Sequence, residues 1–326
     1  MEYKDIIGHD IIIKSLKKAC QNNKMSHFYI FEGSQGLGKR SIAGVFAKTL
    51  LCEKKGIEAC NSCNSCYKFH ILNHPDFKEV YPEKDIIKKG QVDELIQFIN
   101  RSPFESEKKV IIIDQAHLMN KEAQNGLLKS LEEPPSYIHI ILVSSDSKNL
   151  LPTIRSRGQT IHFYPIKAHV VEDYLINNLN IQKELAVFLS KLSNGSLGKA
   201  IHLSESEDFF KKRDWALELI DGLLKKEGFR IFLAVEYFYL NREYTQELLQ
   251  LFILWFRDLA VYKATNDIEF VINKDKEELL RQQSFMDFRL INDIIEKIEE
   301  TSLNIQMNVN FQLSIETMML KIQGEV

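Results

Sequence analysis

Two groups of residues in this chain have types and spacings that could do chemistry. The first is a cysteine cluster. Cys52, Cys60, Cys63 and Cys66 lie in "CEKKGIEACNSCNSC", a C-x₇-C-x₂-C-x₂-C arrangement. Short spacings filled by Asn, Ser and Gly let four thiolates converge on one tetrahedral ion. Iron–sulfur clusters also use four thiolates, but a small polar excursion of this kind suits one structural zinc ion better. Nothing suggests an open coordination position. Cys20, on the apolar face of the first helix, reads as a buried thiol. His70 and His74 are spare ligands that four cysteines do not need.

The second group is the loop "GSQGLGKR" from Gly33 to Arg40. Gly33, Gly38 and Lys39 match the phosphate-cradling pattern G-x-x-x-x-G-K-[ST], in which backbone N–H groups and the Lys ammonium hold phosphates. The next residue should carry a hydroxyl for Mg²⁺, and here it is Arg40. A guanidinium donates but cannot accept, so Arg40 is no metal ligand. Ser41 comes one residue late, about 100° round the helix. Farther on, "VIIIDQAH" ends an apolar run at Asp114, the acid expected to help hold the metal ion. Gln115 follows it, where a carboxylate would polarise an attacking water; an amide cannot serve as a base. Nucleotide binding stays open, weak or absent, and turnover is not expected.

These residues need a scaffold, and the flanking pattern supplies one. "HFYIFEG" (27–33) reads as a strand entering the glycine loop and "KRSIAGVFAKTLLC" (39–52) as the helix leaving it. "KKVIIID" (108–114) and "YIHIILVSSD" (137–146) are continuous apolar runs, as in strands buried on both faces. "KEAQNGLLKSLEEPP" (121–135) is an amphipathic helix stopped by two prolines. Alternation of this kind predicts a parallel sheet covered by helices. After Pro165 the strand signal vanishes. Short helices break at "SNGSLGKA", and long aromatic-rich helical patterns run from about Glu205 onwards, reading as packed bundle core.

The bulk numbers narrow the function. At 326 residues, 44% hydrophobic and 27% charged, the chain is an ordinary globular protein of two or three domains. A net charge of −3, with no basic stripe interleaved with aromatics, argues against a free-standing DNA-binding protein. The apolar runs are too short to span a bilayer. "MEYKDIIGHD" has no apolar signal core, so a cytoplasmic location is expected. Arg155 and Arg157, in "LLPTIRSRG", read on composition alone as a solvated basic turn.

Taken together, the glycine loop, the cysteine insertion after its helix, "NGLLKSLEEPP" and the Ser156–Arg157 pair occur in an order and at spacings that resemble the bacterial clamp loaders. These are AAA+ machines that open a sliding clamp and set it on primed DNA. The resemblance implies an AAA+ α/β domain with the zinc module at 1–166, a helical lid at 167–204 and an all-α collar at 205–326. It makes Arg157 the arginine finger and Ser156 its neighbour in an "SRC" motif, whose third residue here is Gly158. It places Ser145 at sensor 1, and it puts Gly198 of "GSLG" where the lid arginine of sensor 2 normally sits. Motor members keep the Ser/Thr, the Asp-Glu pair and the lid arginine. This chain has Arg40, Gln115 and Gly198 instead, yet keeps Arg157. The pattern implies a non-motor subunit that lends Arg157 in trans to a neighbouring ATPase subunit. Its implied partners are gamma/tau-like motor subunits, a delta-like clamp-opening subunit and, through the complex, the sliding clamp and primer–template DNA. The alternative is an ATP-hydrolysing motor subunit with an unusual loop.

Overall fold

The structure, a computed structural model, describes residues 1–307 and 309–324. The chain forms two compact units: Met1–Leu179 with Ser193–Ala200, and Asn180–Leu192 with Ile201–Val326.

The first unit is built on a five-stranded sheet. Its strands are β1 (Phe28–Glu32), β2 (Phe77–Val80), β3 (Lys109–Ile113), β4 (Ile138–Ser144) and β5 (Gln159–His162). All pairings are parallel, in the order β2-β3-β4-β1-β5, with Phe28 opposite Ile140 and Val110 opposite Phe77. Every residue of β3 and β4 is buried, as apolar runs covered on both faces must be. The side chains alternate between two cores. Ile30, Ile111, Ile113, Ile140 and Leu142 pack with Val92, Leu95 and Leu127 on one face. Tyr29, Phe31, Val110, Ile112 and Ile141 pack with Leu16, Ile42 and Phe46 on the other.

The helices supplying those faces are α1 (Asp10–Gln21), α2 (Lys39–Leu51), α3 (Asn64–His70), α4 (Lys89–Ile99) and α5 (Lys121–Glu132). They are followed by the short α6 (Pro152–Arg155) and by α7 (Ala168–Leu179). Asn120 caps α5 by accepting from the Ala123 N–H at 2.8 Å, and Pro134 and Pro135 prevent its continuation. This is the parallel sheet covered by helices, opening with a strand, a glycine loop and a helix, that the sequence predicts. Cys20 is only partly buried, against the α1/α2 core.

The second unit is helical. It holds α8 (Lys183–Leu192) and most of α9 (Leu197–Glu205), then α10 (Glu207–Leu224), α11 (Phe229–Leu240), α12 (Thr245–Thr265), α13 (Glu277–Gln283), α14 (Phe288–Gln306) and α15 (Phe311–Gln323). The helix α12 runs through its middle, packed on α10 and α14. It buries Phe252, Trp255 and Phe256 completely, and the Trp255 indole N–H donates to Gln283 Oε1 at 2.8 Å. Not all the aromatics are core, since Phe232 and Tyr239 on α11 stand exposed. Among the described residues, no helix is long and apolar enough to cross a membrane.

Candidate functional site

The cysteines converge. The Sγ atoms of Cys52, Cys60, Cys63 and Cys66 all lie within 4.8 Å of one another, close enough to share one metal ion. Cys52 ends α2, Cys63 caps α3 and Cys66 sits in its first turn. Backbone donors already point at sulfur: Cys60 N–H at Cys52 Sγ (3.3 Å) and Cys66 N–H at Cys63 Sγ (3.4 Å). Such donors favour the thiolates that a metal needs. The Ser62 hydroxyl and backbone hold the half-buried Cys60 thiol down at about 5, whereas burial pushes Cys66 up to about 12.

Beneath the cluster lies a buried network that the sequence did not announce. Ser65 Oγ donates to Leu51 O at 2.6 Å, so His74 Nε2–H donates to Ser65 Oγ (2.9 Å) while its Nδ1 accepts from the Asp76 N–H. Asp76, fully buried, accepts three backbone N–H bonds from Phe104, Glu105 and Ser106 at 2.7–2.8 Å. His74 therefore anchors the cysteine segment to the sheet, and its ring nitrogens are occupied by that task. The H-x-D pairing directly before β2 was the available signal.

The glycine loop forms, but its lysine is satisfied from within. Gly38 starts α2 at φ +84°, which a side chain would resist. Lys39, only 6% exposed, bends back and donates to Gly33 O (2.5 Å) and Ser34 O (2.6 Å). Burial lowers its ammonium to about 8. The segment 196–199 closes over the loop: Gly198 N–H donates to Gly36 O at 2.9 Å and Ser196 Oγ to Gln35 O at 3.1 Å. A Cβ on Gly198 would meet Gly36 Cα and O at 3.1 Å, so the fit depends on the missing side chain.

Arg40, just inside α2, engages acids from two strand ends. Its Nε donates to Glu79 Oε1 at 2.8 Å, Nη2 lies 3.4 Å from Glu79 Oε2, and Asp114 Oδ2 is 4.0 Å from Nε. Its Nη2 also donates to the Tyr81 hydroxyl, and the guanidinium lies over the Tyr81 ring at 4.8 Å. Glu79 and Tyr81 are parts of this arrangement that sequence reading missed, because "FKEVY" carries no motif. Burial raises the Asp114 carboxyl, an effect that the Gln115 N–H and Arg40 oppose. Gln115 itself is exposed. Ser145 Oγ pairs with His117 Nε2 at 3.0 Å, a partner also unforeseen.

Arg157 is exposed, one residue past the Ser156 that caps α6. Its Nη1 donates to Thr153 O and its Nη2 to Glu132 Oε1, both at 2.6 Å. Ser156 Oγ bonds only locally, to Thr153 O at 3.2 Å. Gly158 has a steric reason: a Cβ there would lie 2.7 Å from the Ile30 side chain and 2.9 Å from the Phe28 ring. Those two large side chains fill the space that a cysteine would take.

Known proteins match this chain in sequence. Residues 8–167 match the family described as "DNA polymerase III, delta subunit", and residues 208–324 match "DNA polymerase III, delta subunit, C terminal". The DNA polymerase III subunit delta-prime of Bacillus subtilis is 30% identical over 317 residues, which cover 96% of this chain and 95% of that protein. The tau subunit of the same organism is 29% identical over 308 residues, but these make up 54% of its length, so this chain spans about half of it. Among solved structures, a gamma subunit-related protein of Thermotoga maritima aligns with 96% of this chain and 99% of its own, at 19% identity and a TM-score of 0.40. The match to delta-prime runs from end to end of both proteins, across the glycine loop, the cysteines and the helical region alike, and the chain belongs to the delta-prime family of DNA polymerase III subunits.

Proposed function

We propose that this chain is a non-motor subunit of the DNA polymerase III clamp loader, with one structural zinc ion on its four cysteines and with Arg157 acting on nucleotide held by a neighbouring ATPase subunit. The observation that carries this reading is a contrast between two cationic groups. Lys39 is buried and committed to its own loop, whereas Arg157 stands at the surface. The first arrangement suits a loop kept for its fold, and the second suits a side chain that reaches outward.

Phosphoryl transfer needs a metal-bound hydroxyl, a group to orient water and cations to stabilise charge on the γ-phosphoryl oxygens. Arg40, Gln115 and Gly198 each remove one of these from the chain's own site. Arg157 can supply the third to another site. Its pairing with Glu132 is solvent-exposed, and such a pair is worth about 0–1 kcal/mol, so a triphosphate on a partner can compete for it. The planar guanidinium fork suits phosphate oxygens better than a lysine point charge. The partners in this reading are gamma/tau-like motor subunits and a delta-like subunit, with the sliding clamp and primed DNA met through the complex.

The test is to assemble the complex with Arg157→Ala beside an Arg155→Ala control and to measure clamp- and DNA-stimulated ATPase and clamp loading. In other NTPases a finger arginine is worth about 10³–10⁵ in turnover, roughly 4–7 kcal/mol of barrier, at the site it serves. Only the motor site facing this subunit should lose activity, so total ATPase falls partially while loading falls further. Normal assembly with wild-type loading by the Arg157→Ala complex would remove the trans-acting role. The motor alternative predicts Lys39-dependent ATPase in the isolated chain.

A further inference from the structure

An AAA+ P-loop implies a divalent metal ion beside Asp114, and the residues present do not fit one. A magnesium ion wants oxygen ligands at about 2.0–2.1 Å in octahedral order. The charged group paired with Asp114 is instead the Arg40 guanidinium, which spreads between Asp114 and Glu79. We propose that Arg40 is the resident cation of this site: it joins the ends of β2 and β3 through Glu79 and Asp114 and, by holding that place, keeps divalent metal out.

Four observations support this. The contact with Glu79 uses two guanidinium nitrogens on two carboxylate oxygens, the fork geometry that single out arginine–carboxylate pairs. Glu79 lies in β2 and Asp114 directly follows the adjacent parallel strand β3, with Asp114 N–H donating to Val80 O, so the backbone already brings the two acids close together. Tyr81 completes the pocket with its ring under the guanidinium and its hydroxyl on Nη2. The Glu79 side chain is 12% exposed and that of Asp114 16%, so both carboxylates are largely withdrawn from water and need a counter-charge. With Lys39 and Arg40 facing Glu79 and Asp114, the cluster has two charges of each sign. A divalent ion added to it would leave a net excess of positive charge beside the N-terminus of α2, where the helix dipole already disfavours cations. The substitution after Lys39 thus does more than delete a hydroxyl; it installs a different cation. The inference is independent of any role for Arg157.

Mn²⁺ binding to the 326-residue, zinc-loaded chain tests it, followed by the electron paramagnetic resonance signal of free Mn²⁺. The wild-type chain should show no saturable site up to millimolar Mn²⁺. Arg40→Ala should gain one site at least 10-fold tighter than anything in wild type, and adding Asp114→Asn should remove it again. Arg40→Lys, which keeps a cation in place, should stay empty. Equal Mn²⁺ binding by wild type and Arg40→Ala, whether both bind or neither does, would overturn the proposal. A second measurement needs no variant: in ¹⁵N-labelled wild type, the Arg40 Nε–H resonance should keep its intensity when Mn²⁺ is added at equimolar concentration. Paramagnetic loss of that resonance would place the metal beside the guanidinium and sink the idea even if Arg40→Ala did not fold.

Discussion

The cysteine cluster and the glycine loop sit at opposite ends of the same helix, α2, and they differ in what satisfies them. At the C-terminal end four sulfurs converge, with polar hydrogens turned toward them. At the N-terminal end the lysine that would meet a phosphate and the acids that would meet a metal ion already have partners from the chain. Lys39 is on Gly33 O and Ser34 O, Gly36 O accepts from Gly198, and Glu79 and Asp114 share Arg40. One end of the helix is a ligand set and the other is a closed circuit. A binding motif can thus survive in outline after its partners have been recruited from within, and the outline alone does not tell the two cases apart.

The largest effect expected is at the open end. Chelation, or Cys60→Ser, should remove one zinc per chain, and a structural site of this class carries about 10–16 kcal/mol of apparent binding free energy in isolated zinc peptides. Hydrogen exchange should then rise over residues 52–66 and along the His74–Asp76 anchor, while β3 and β4 stay protected. Elemental analysis finding no zinc in the native chain, or full zinc in Cys60→Ser, would erase the contrast between the two ends.

A second prediction strains the closed end. Gly198→Arg reinstates the side chain that motor members carry, and its Cβ must enter space 3.1 Å from Gly36. Overpacking of this kind costs about 1–3 kcal/mol. The thermal midpoint should fall by a few degrees, with Gly198→Ala falling less, since alanine makes the same first clash without the longer chain. An unchanged midpoint for Gly198→Arg would mean that segment 196–199 is not what holds the loop shut.

Much of this was legible in sequence, for identifiable reasons. The apolar runs of β1, β3 and β4 announced themselves because strands buried on both faces leave no polar interruptions. β2 and β5 did not, because "FKEV" and "QTIH" are short edge strands whose partly exposed side chains carry no such pattern. The four cysteines were legible because ligand spacing is local in sequence. Arg40 was legible as a missing metal ligand, but not as a replacement cation. That role depends on Glu79 and Tyr81, about 40 residues away along the chain and brought alongside only by the β2–β3 pairing. Likewise Gly198 could be recognised as a missing arginine, whereas its hydrogen bond to Gly36 spans more than 160 residues of sequence. Motifs report what a site has lost; the fold shows what moved in.

A smaller effect concerns Lys39 and pH. Its ammonium titrates near 8 in the fold, below the ordinary value of 10.5, because burial disfavours the charge. The unfolded chain therefore binds the extra proton between pH 8 and 10.5, and folding stability from this group should rise as pH climbs through that window. After allowance for screening the gain is about 1–2 kcal/mol. It should appear as a pH-dependent difference between wild type and Lys39→Met in urea denaturation, flat from pH 6 to 7 and growing above pH 8. A difference that falls with pH would show that the ammonium is stabilised at the loop and that the loop is a better cation site than its burial implies.

The smallest expected effect is none at all. Arg40→Thr returns the hydroxyl that the glycine-loop pattern calls for and withdraws the guanidinium from Glu79 and Asp114, so a metal ion can now approach. ATPase activity of the isolated chain should nevertheless stay at background. Metal binding needs only the acids and the hydroxyl, whereas turnover also needs a group to activate water and a cation from the lid. Gln115 offers an exposed amide in place of the carboxylate, and Gly198 offers only a backbone N–H already given to Gly36. Metal affinity and turnover should therefore separate in one variant, with Mn²⁺ retained and ATP left intact. Lys39-dependent hydrolysis above background in Arg40→Thr would mean that a single guanidinium had been holding back a working engine. The two ends of α2 would then differ by one residue rather than by design of the whole loop.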